Sequence, residues 1–281
     1  MQVKFGPSGN GDLFYEKGFK HSYEMPSFLR SLGLTAYEYS FGRGANISDE
    51  TASVIGKNCK EQGITLSVHA PYYINFANPD RDMIEKSFGY LFRSADKARL
   101  LGGKRIVFHV GTTGKMTREE ALFAAAQNLK EFALTARERG YGDINFCPET
   151  MGKMSQLGTA EEIINFCLID EMFIPTVDFG HLYARSHGEF QGFAAYDELL
   201  CKMQEKLGDR AKHMHIHFSK IEFSAGGEVR HLKMSDTSYG PDFAPLAQVI
   251  AKRGFTPTVL SESDGSQIED ALEMKKIYDN I

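Results

Sequence analysis

Short apolar runs alternate with longer amphipathic stretches along the chain. Runs such as GKRIVFHV are continuously apolar, which is typical of parallel strands that are buried on both faces. Such runs predict eight strands, at residues 3–6, 36–40, 65–69, 105–109, 143–147, 175–179, 213–217 and 257–262. The mean spacing of about 35 residues is the length of one strand followed by one helix.

Helix capping signals lie in the stretches between these strands. Thr117 and Glu120 form a capping box ahead of the run ALFAAAQNLKEFALTARERG. Thr159 and Glu162 repeat that pattern ahead of IINFCLIDE. A Thr with a Glu three positions later satisfies N–H groups that would otherwise be unpaired at a helix start. We therefore predict a helix after each pair, so that helices alternate with strands.

The alternation of strands and helices predicts an α/β protein, a (β/α)8 TIM barrel that forms a single domain over residues 1–281. Eight units in one chain fit such a barrel, which typically has about 250 residues. A doubly wound open sheet is the alternative, and it is disfavoured because neither GxGxxG nor GxxxxGK[ST] occurs. In a TIM barrel the loops after the strands form the catalytic face. We therefore expect a functional site at the C-terminal ends of the strands.

The composition narrows the class of protein. Hydrophobic residues make up 42% and charged residues 25% of the chain, which is ordinary globular usage. No apolar window approaches roughly 18 residues and the start lacks a secretory layout, so we expect neither a membrane partner nor export. Four scattered cysteines without CxxC predict a cytoplasmic protein. The formal charge of −5 does not favour a nucleic-acid binder on bulk electrostatics alone, and no obligate protein partner is implied.

Side chains that can bind a metal end nearly every predicted strand from the third onward. They are His69, His109, Glu149, Asp178, His181, Glu262 and the group His213, His215 and His217, with His231 in the loop after the seventh strand. In a closed barrel these ends meet at one rim. Imidazole with carboxylate suits zinc, manganese or ferrous iron better than calcium or magnesium. Burying such groups together is costly without a cation, so the joint pattern predicts a metal site.

Each of these residues also has a structural explanation when it is taken singly. A lone His at a strand end is more often a hydrogen-bonded structural residue than a ligand. Glu149 can cap the helix that follows it, and Asp178 with His181 can form a turn. The three histidines of HMHIH share one face of their strand, so only one of them needs to bind metal.

The motifs together resemble the endonuclease IV family of apurinic/apyrimidinic endonucleases. The matching stretches are His69-Ala70-Pro71-Tyr72 with Asn75, Phe108-His109-Val110-Gly111, Pro148-Glu149-Thr150, Asp178-Phe179-Gly180-His181, His215 followed by Lys220, Arg230-His231 and Ser261-Glu262. They run from the third strand to the last, so the resemblance covers most of the chain. Members of that family are (β/α)8 barrels that hold three zinc ions and cut DNA on the 5′ side of a base-less sugar.

The resemblance implies three metal positions, two of which share a carboxylate. The first metal would be held by His69, His109 and Glu149. The second would be held by Glu149, Asp178, His215 and Glu262, so that Glu149 bridges the two ions. The third would be held by His181, His231 and one carboxylate. The implied cofactor is zinc, two or three ions per chain, with manganese as the alternative.

The resemblance also implies catalytic groups and a substrate. Glu149 and Glu262 are the expected catalytic carboxylates, and the expected partner is double-stranded DNA that contains abasic sites, cut in base excision repair. The expected contacts to this DNA are Tyr72, Arg43, Lys220 and Arg230. An aromatic ring can stack on a base or fill an abasic gap. Cationic side chains can touch phosphates, and binding should then weaken as salt rises.

The chain departs from the family pattern at three places. The carboxylate of the third metal normally stands two residues before the His of an Asp-Arg-His triplet, where this chain has Val229 next to Glu228. The Asn-Asp pair that follows the seventh-strand His is replaced by His217 and Phe218. The loop SFGRGANIS differs from the loop that probes DNA. These departures leave it undecided whether the third metal site is intact. They also leave open that the chain is a paralogue with a different metal content or substrate.

Two other functions remain open on the sequence. A single-metal sugar isomerase or epimerase of the xylose-isomerase-like barrel class would use Glu149, Asp178, His215 and Glu262 equally well. His69 and His109 favour the nuclease, because a second metal needs them and a one-metal epimerase does not. A degenerate barrel that binds metal or nucleic acid without turnover is the third alternative.

Overall fold

Eight parallel strands form a barrel in the computed structural model, which describes residues 2–281. In chain order the strands are β1 (Lys4–Pro7), β2 (Ala36–Ser40), β3 (Thr65–His69), β4 (Arg105–Phe108), β5 (Gly111–Thr112), β6 (Asn145–Pro148), β7 (Gln156–Leu157), β8 (Thr176–Asp178), β9 (His215–Phe218), β10 (Lys220–Ser224), β11 (Gly227–Leu232) and β12 (Thr258–Ser261). β5, β7, β10 and β11 lie outside the barrel. The other eight correspond to the eight predicted strands, with ends that differ by at most two residues.

The barrel is built from two parallel four-stranded sheets. Their strand orders are β1-β12-β9-β8 and β2-β3-β4-β6. A parallel bridge between Ser8 and Glu38 joins β1 to β2, and a second bridge between Glu149 and Thr176 joins β6 to β8. The ring is thereby closed, so that the carboxyl ends of all eight strands face one rim. The predicted α/β fold, a (β/α)8 TIM barrel, is confirmed.

Helices surround the barrel and follow the predicted capping signals. They are α1 (Gly11–Glu16), α2 (Met25–Ser31), α3 (Asp49–Gln62), α4 (Arg81–Leu100), α5 (Arg118–Glu138), α6 (Ala160–Cys167), α7 (Phe179–Arg185), α8 (Phe193–Leu207), α9 (Asp209–Lys212), α10 (Ala244–Arg253) and α11 (Gln267–Asp279). Both predicted capping boxes form, at the starts of α5 and α6. Among residues 2–281, no helix combines the length and the apolar character that a bilayer crossing requires.

Aromatic side chains fill the layer between the barrel and the helices. Phe132 of α5 packs edge-on against Phe146 of β6, with ring centroids 4.8 Å apart. Phe88 of α4 and Phe76 extend the same cluster, and all four side chains are buried. Apolar burial of this kind drives folding. The inside of the barrel is different, because polar residues such as Glu38 are buried there.

Candidate metal centre

Histidines and carboxylates from six barrel strands or the segments after them meet at the C-terminal rim. They form three groups, in each of which one ligand atom per residue lies within 4.8 Å of the others. The first cluster is His69, His109 and Glu149. The second cluster is Glu149, Asp178, His217 and Glu262. The third cluster is His181, Glu228 and His231.

The first cluster is centred on one oxygen of Glu149. His69 ends β3 and His109 directly follows β4, and their Nε2 atoms lie 3.3 Å and 3.2 Å from Glu149 Oε2. The other ring nitrogen of His69 donates to the carbonyl of Ala70 at 2.8 Å. That bond turns Nε2 toward the carboxylate. The two predicted histidines and Glu149 are therefore brought together.

The second cluster uses the other oxygen of Glu149. His217 Nδ1 lies 2.8 Å from Glu149 Oε1 and 3.3 Å from Glu262 Oε1. Asp178 pairs with His217 in the register of β8 and β9, so both side chains lie at one level of the barrel. One oxygen of Asp178 accepts the backbone N–H of His181 at 2.7 Å and caps α7. Its other oxygen is buried without a hydrogen-bond partner.

The second cluster contains His217, and the expectation of His215 is corrected. Both histidines point into the barrel because they are two positions apart on β9. His215 pairs in register with Thr176, whereas His217 pairs with Asp178. Two residues advance about 7 Å along a strand. His215 therefore lies one level too deep to meet Glu262, and its Nε2 bonds Glu38 at 2.9 Å instead.

The third cluster gains its carboxylate through a β-bulge. In the hairpin of β10 and β11, Glu222 pairs with Arg230 and Phe223 with Glu228, so Val229 is left without a cross-strand partner. A bulge re-aims the side chains beside it. Val229 is half exposed, and Glu228 takes the position next to the histidines.

Histidines flank Glu228 on both sides. His181 Nε2 lies 3.4 Å from Glu228 Oε2, and His231 Nε2 lies 4.0 Å from Glu228 Oε1. Gly152 permits this close approach, because a Cβ there would lie 2.6 Å from the Cβ of Glu228. A carboxylate thus stands between the two predicted histidines, and the three residues form a group that could hold a metal ion.

The two histidine rings of the third cluster are held in place by hydrogen bonds at their Nδ1 atoms. His181 Nδ1 bonds the carbonyl of Thr150 at 2.9 Å, and His231 Nδ1 bonds Ser219 Oγ at 2.8 Å. In both rings Nε2 is left facing Glu228. Histidines that bind metals commonly use one nitrogen for the ion and the other for such a bond.

The ionisation of the centre follows from burial and from mutual contact. Burial would raise the pKa of Glu149, but the charge on His217 and hydrogen bonds from His109, His217 and His69 hold it well below its usual value. Burial would lower the pKa of His69, but the hydrogen bond and charge of Glu149 raise it to about 9. Burial also opposes the charge on His181, yet Asp178 and other nearby carboxylates raise its pKa to about 9.

The donor sets fit divalent cations. One oxygen of Asp178 is buried without a hydrogen-bond donor, which is costly unless a cation binds that oxygen. Neutral imidazole and carboxylate together suit zinc, manganese or iron. The side chains of Glu262, His109 and His231 are 17%, 18% and 24% exposed, whereas that of Glu149 is fully buried. The centre is therefore closed from below and open to a substrate at the rim.

Tyr72 lies over the first cluster. Its ring centroid is 5.5 Å from that of His69 and 5.5 Å from that of His109, and 56% of the residue is exposed. Arg43 is exposed on the neighbouring loop, where the carbonyl of Gly42 accepts the N–H of Tyr72. These two predicted contact residues are therefore on the rim.

Lys220 and Arg230 both make polar contacts with neighbouring residues. Lys220 Nζ donates to the carbonyl of Asp236 at 2.5 Å, lies 3.4 Å from the carboxylate of Asp242, and faces α10 and α11. These bonds hold the side chain against the loop that follows the hairpin, and its expected contact with substrate stays a prediction. Arg230 pairs with Glu222 at 2.7 Å and stays 67% exposed, beside a rim cavity.

Two cavities lie on the rim beside the centre. One, of about 410 Å³, is lined by Arg230, His231, Leu232, Lys233, Ser235, Asp236, Thr237 and Asp264. The other, of about 420 Å³, is lined by polar and tyrosine side chains that include Asn10, Asp12, Tyr37, Tyr39, Asp264 and Gln267, without Lys or Arg. Lys and Arg side chains therefore line one of these two cavities and not the other.

Sequence reasoning missed Glu38, which touches both inward histidines of β9. A signal was present, because Glu38 is the one charged residue in the strand AYEYS. A carboxylate within a buried strand needs hydrogen-bond partners, so it pointed to polar groups inside the barrel.

Comparison with known proteins agrees with the fold. A family model described as Xylose isomerase-like TIM barrel matches residues 26–277. An uncharacterised protein of Methanocaldococcus jannaschii is 32% identical, over 90% of each chain. A solved D-tagatose 3-epimerase-like protein superposes with a TM-score of 0.73 at 19% identity, over 99% of this chain and 96% of that one.

A nuclease is among the similar proteins as well. A probable endonuclease 4 of Listeria monocytogenes serotype 4b is 31% identical over 57% of this chain. The match spans 54% of that protein's length. Nuclease and epimerase names thus both occur among proteins similar to this chain.

Proposed function

The chain belongs to the Xylose isomerase-like TIM barrel family, and from that premise we propose that it is a metal-dependent phosphodiesterase. The proposed reaction is hydrolysis of the DNA backbone on the 5′ side of abasic sites, a step of base excision repair. The proposed cofactor is zinc, with manganese as the alternative. The motifs shared with the endonuclease IV family and the likeness to the Listeria endonuclease support this choice.

The position of Glu149 between two clusters carries the proposal. Its Oε2 faces His69 and His109, and its Oε1 faces His217. A carboxylate that offers one oxygen to each of two donor sets is suited to bridge two ions. A one-metal centre has no use for His69 and His109. The first cluster therefore favours the phosphodiesterase over a single-metal enzyme.

The residues of the centre would hold the metal ions in position and supply negative charge and a proton acceptor. Paired ions, when bound, lower the pKa of water and neutralise charge on a phosphodiester. Glu149 would fix the spacing of the two donor sets. Glu262 reaches the open side of the centre, where its carboxylate can hold a proton of the attacking water. Tyr72 covers the first cluster, where its ring can fill the gap left by a missing base.

Cleavage of a defined oligonucleotide tests the proposal. The substrate is a duplex with one abasic-site analogue, and the expected product is a single nick on its 5′ side that disappears in chelator. E149Q should reduce the rate by at least about 100-fold. E162Q is the matched control, because Glu162 is also a buried carboxylate but pairs with Arg118 at the start of α6. An uncut duplex, with zinc bound to the wild-type protein, would refute the nuclease.

A single-metal sugar epimerase is the second candidate. The rim cavity beside β1 and β2 favours it, because amide, tyrosine and carboxylate side chains suit a neutral hydroxylated molecule better than a phosphate. Glu149 and Glu262 would then pass a proton at a carbon next to a carbonyl. Metal analysis separates the two functions. One manganese per chain that survives replacement of His69 and His109 by Ala would favour the epimerase.

A further inference from the structure

Glu38 is a buried carboxylate inside the barrel, below the candidate metal centre. It is the third residue of β2, and its side chain is fully buried. None of the ion pairs of the described residues joins it to Lys or Arg; its charged partners are His215 and His217. An ionised carboxylate in such a place needs hydrogen bonds to replace water. What surrounds it therefore indicates what it does.

Four polar side-chain groups surround the two oxygens of Glu38. Ser8 Oγ donates to Oε1 at 3.0 Å and Ser67 Oγ donates to Oε2 at 3.0 Å. His215 Nε2 lies 2.9 Å from Oε2. His217 Nε2 lies 3.0 Å from Oε1, although off the line of an ideal hydrogen bond. A carboxylate has about four acceptor positions. Three of those on Glu38 accept hydrogen bonds, and His217 Nε2 lies close to the fourth.

These contacts favour one of two roles for Glu38. With His215 and His217 it also forms a group close enough to hold a metal. A metal there would have to displace donors that already match the carboxylate. Both serine hydroxyls and the His215 ring fit a hydrogen-bonded anion better than a cation ligand. Glu38 therefore fits an acceptor that orients other side chains.

The ring of His217 lies between two carboxylates. Its Nε2 faces Glu38, and its Nδ1 lies 2.8 Å from Glu149 in the second cluster. Without a cation, Nδ1 donates its hydrogen to Glu149 Oε1. A cation in the second cluster would replace that hydrogen, and the ring would then keep its one hydrogen on Nε2, which faces Glu38. We propose that Glu38 is a positioning residue that fixes this form of His217, so that Nδ1 binds the metal of the second cluster.

His215 takes the complementary part. It holds Glu38 from the deeper level of β9, through the oxygen that His217 does not face. The two inward histidines of this strand thus have different roles, one as a ligand and one as a support. The inference rests on the metal centre of the proposed function, but not on its substrate.

Zinc binding by the E38Q variant tests the inference. Glutamine keeps the shape, but its NH2 group confronts the N–H of His215 or His217, so one imidazole loses its acceptor. Removing a carboxylate that supports a ligand commonly weakens metal binding 10–100-fold. We expect a loss of about that size at the second cluster, measured by competition with a chromophoric chelator on metal-free protein. E162Q should bind zinc like the wild type, and unchanged affinity in E38Q would overturn the inference.

Nitrogen NMR of the zinc-loaded wild-type protein gives a second test, which does not depend on the folding of E38Q. The ring signals of His217, identified by their loss in H217N, should show a hydrogen on Nε2 and zinc on Nδ1. The reverse pattern, or no zinc at His217, would refute the role of Glu38. Zinc bound in the expected form without cleavage of abasic DNA would refute the proposed function alone.

Discussion

His217 Nδ1 lies 2.8 Å from Glu149 Oε1, whereas His215, two residues earlier on the same strand face, turns to Glu38. This contact assigns one of the two histidines to the metal centre. We expect H217Q to lose one zinc per chain. H215Q should keep the number of bound ions, because glutamine retains a donor for Glu38. Elemental analysis of dialysed proteins measures both, and loss of an ion in H215Q alone would reverse the assignment.

The bulge in the hairpin gives a prediction for the third cluster. E228Q should remove the carboxylate between His181 and His231, and so lower the affinity for a third zinc by at least about 10-fold. V229D should leave that affinity nearly unchanged, because Val229 is half exposed and Glu228 already lies between the two histidines. Zinc titration followed by calorimetry distinguishes the variants. Tighter third-site binding in V229D would show that residue 229 faces the centre.

The raised pKa values of His69 and His181 predict how the metal-free protein responds to pH. The pKa of each histidine is about 9 in the fold, against about 6.5 when unfolded. The folded protein therefore binds more protons between those values, and the free energy of unfolding should fall as pH rises from 6.5 through 9. Urea denaturation in chelator measures this. Zinc-loaded protein should lack the decline, because ligand histidines carry no proton at the metal-binding nitrogen.

At acidic pH the expected change in stability has the opposite sign. The pKa of Glu38 lies well below its usual value, because His217 and His215 outweigh the effect of burial. The stability that this carboxylate contributes is present above its unfolded pKa and is lost as pH falls through the folded one. The combined contribution of Glu38, His69 and His181 to the stability of the metal-free protein should therefore be largest between pH 4.5 and 6.5. A flat profile over the whole range would contradict these shifts.

Uneven charge on the rim predicts the salt dependence of DNA binding. Arg230 and Lys233 line one cavity beside His231. If each touches a phosphate, R230A and K233A should each reduce the slope of log affinity against log salt by about 1. K275A is the control, because Lys275 pairs with Asp279 on α11. Fluorescence anisotropy with an abasic duplex measures the slopes, and equal slopes in all four proteins would remove these contacts.

The sequence predicted what depends on local pattern. Continuous apolar runs located the eight barrel strands, and capping pairs such as Thr117 with Glu120 located helix starts. Closure of the barrel then explains why His69, His109 and Glu149, which are forty residues apart in succession, meet at one rim. Each of these inferences needs only the spacing of residues along the chain.

The remaining features depend on pairing between distant strands. Alternation put His215 and His217 on one face, but the register with Asp178 decides which of them reaches the centre. Glu228 replaces the carboxylate expected at Val229 only because the hairpin contains a bulge. Neither register nor bulge leaves a mark in local composition, so neither followed from a single sequence.

Because Val229 has no cross-strand partner, the spacing of the ligands in space does not follow from their spacing in the sequence. Glu228 and His231 meet because the two arms of the hairpin set their level, even though the interval between them is one longer than the motif prescribes. A pattern search with a fixed interval would reject this chain and others like it. A better search for homologues would ask whether any acidic residue on the strand equivalent to β11 can reach the histidine equivalent to His181. The number of residues between that acidic residue and the histidine equivalent to His231 would be left variable.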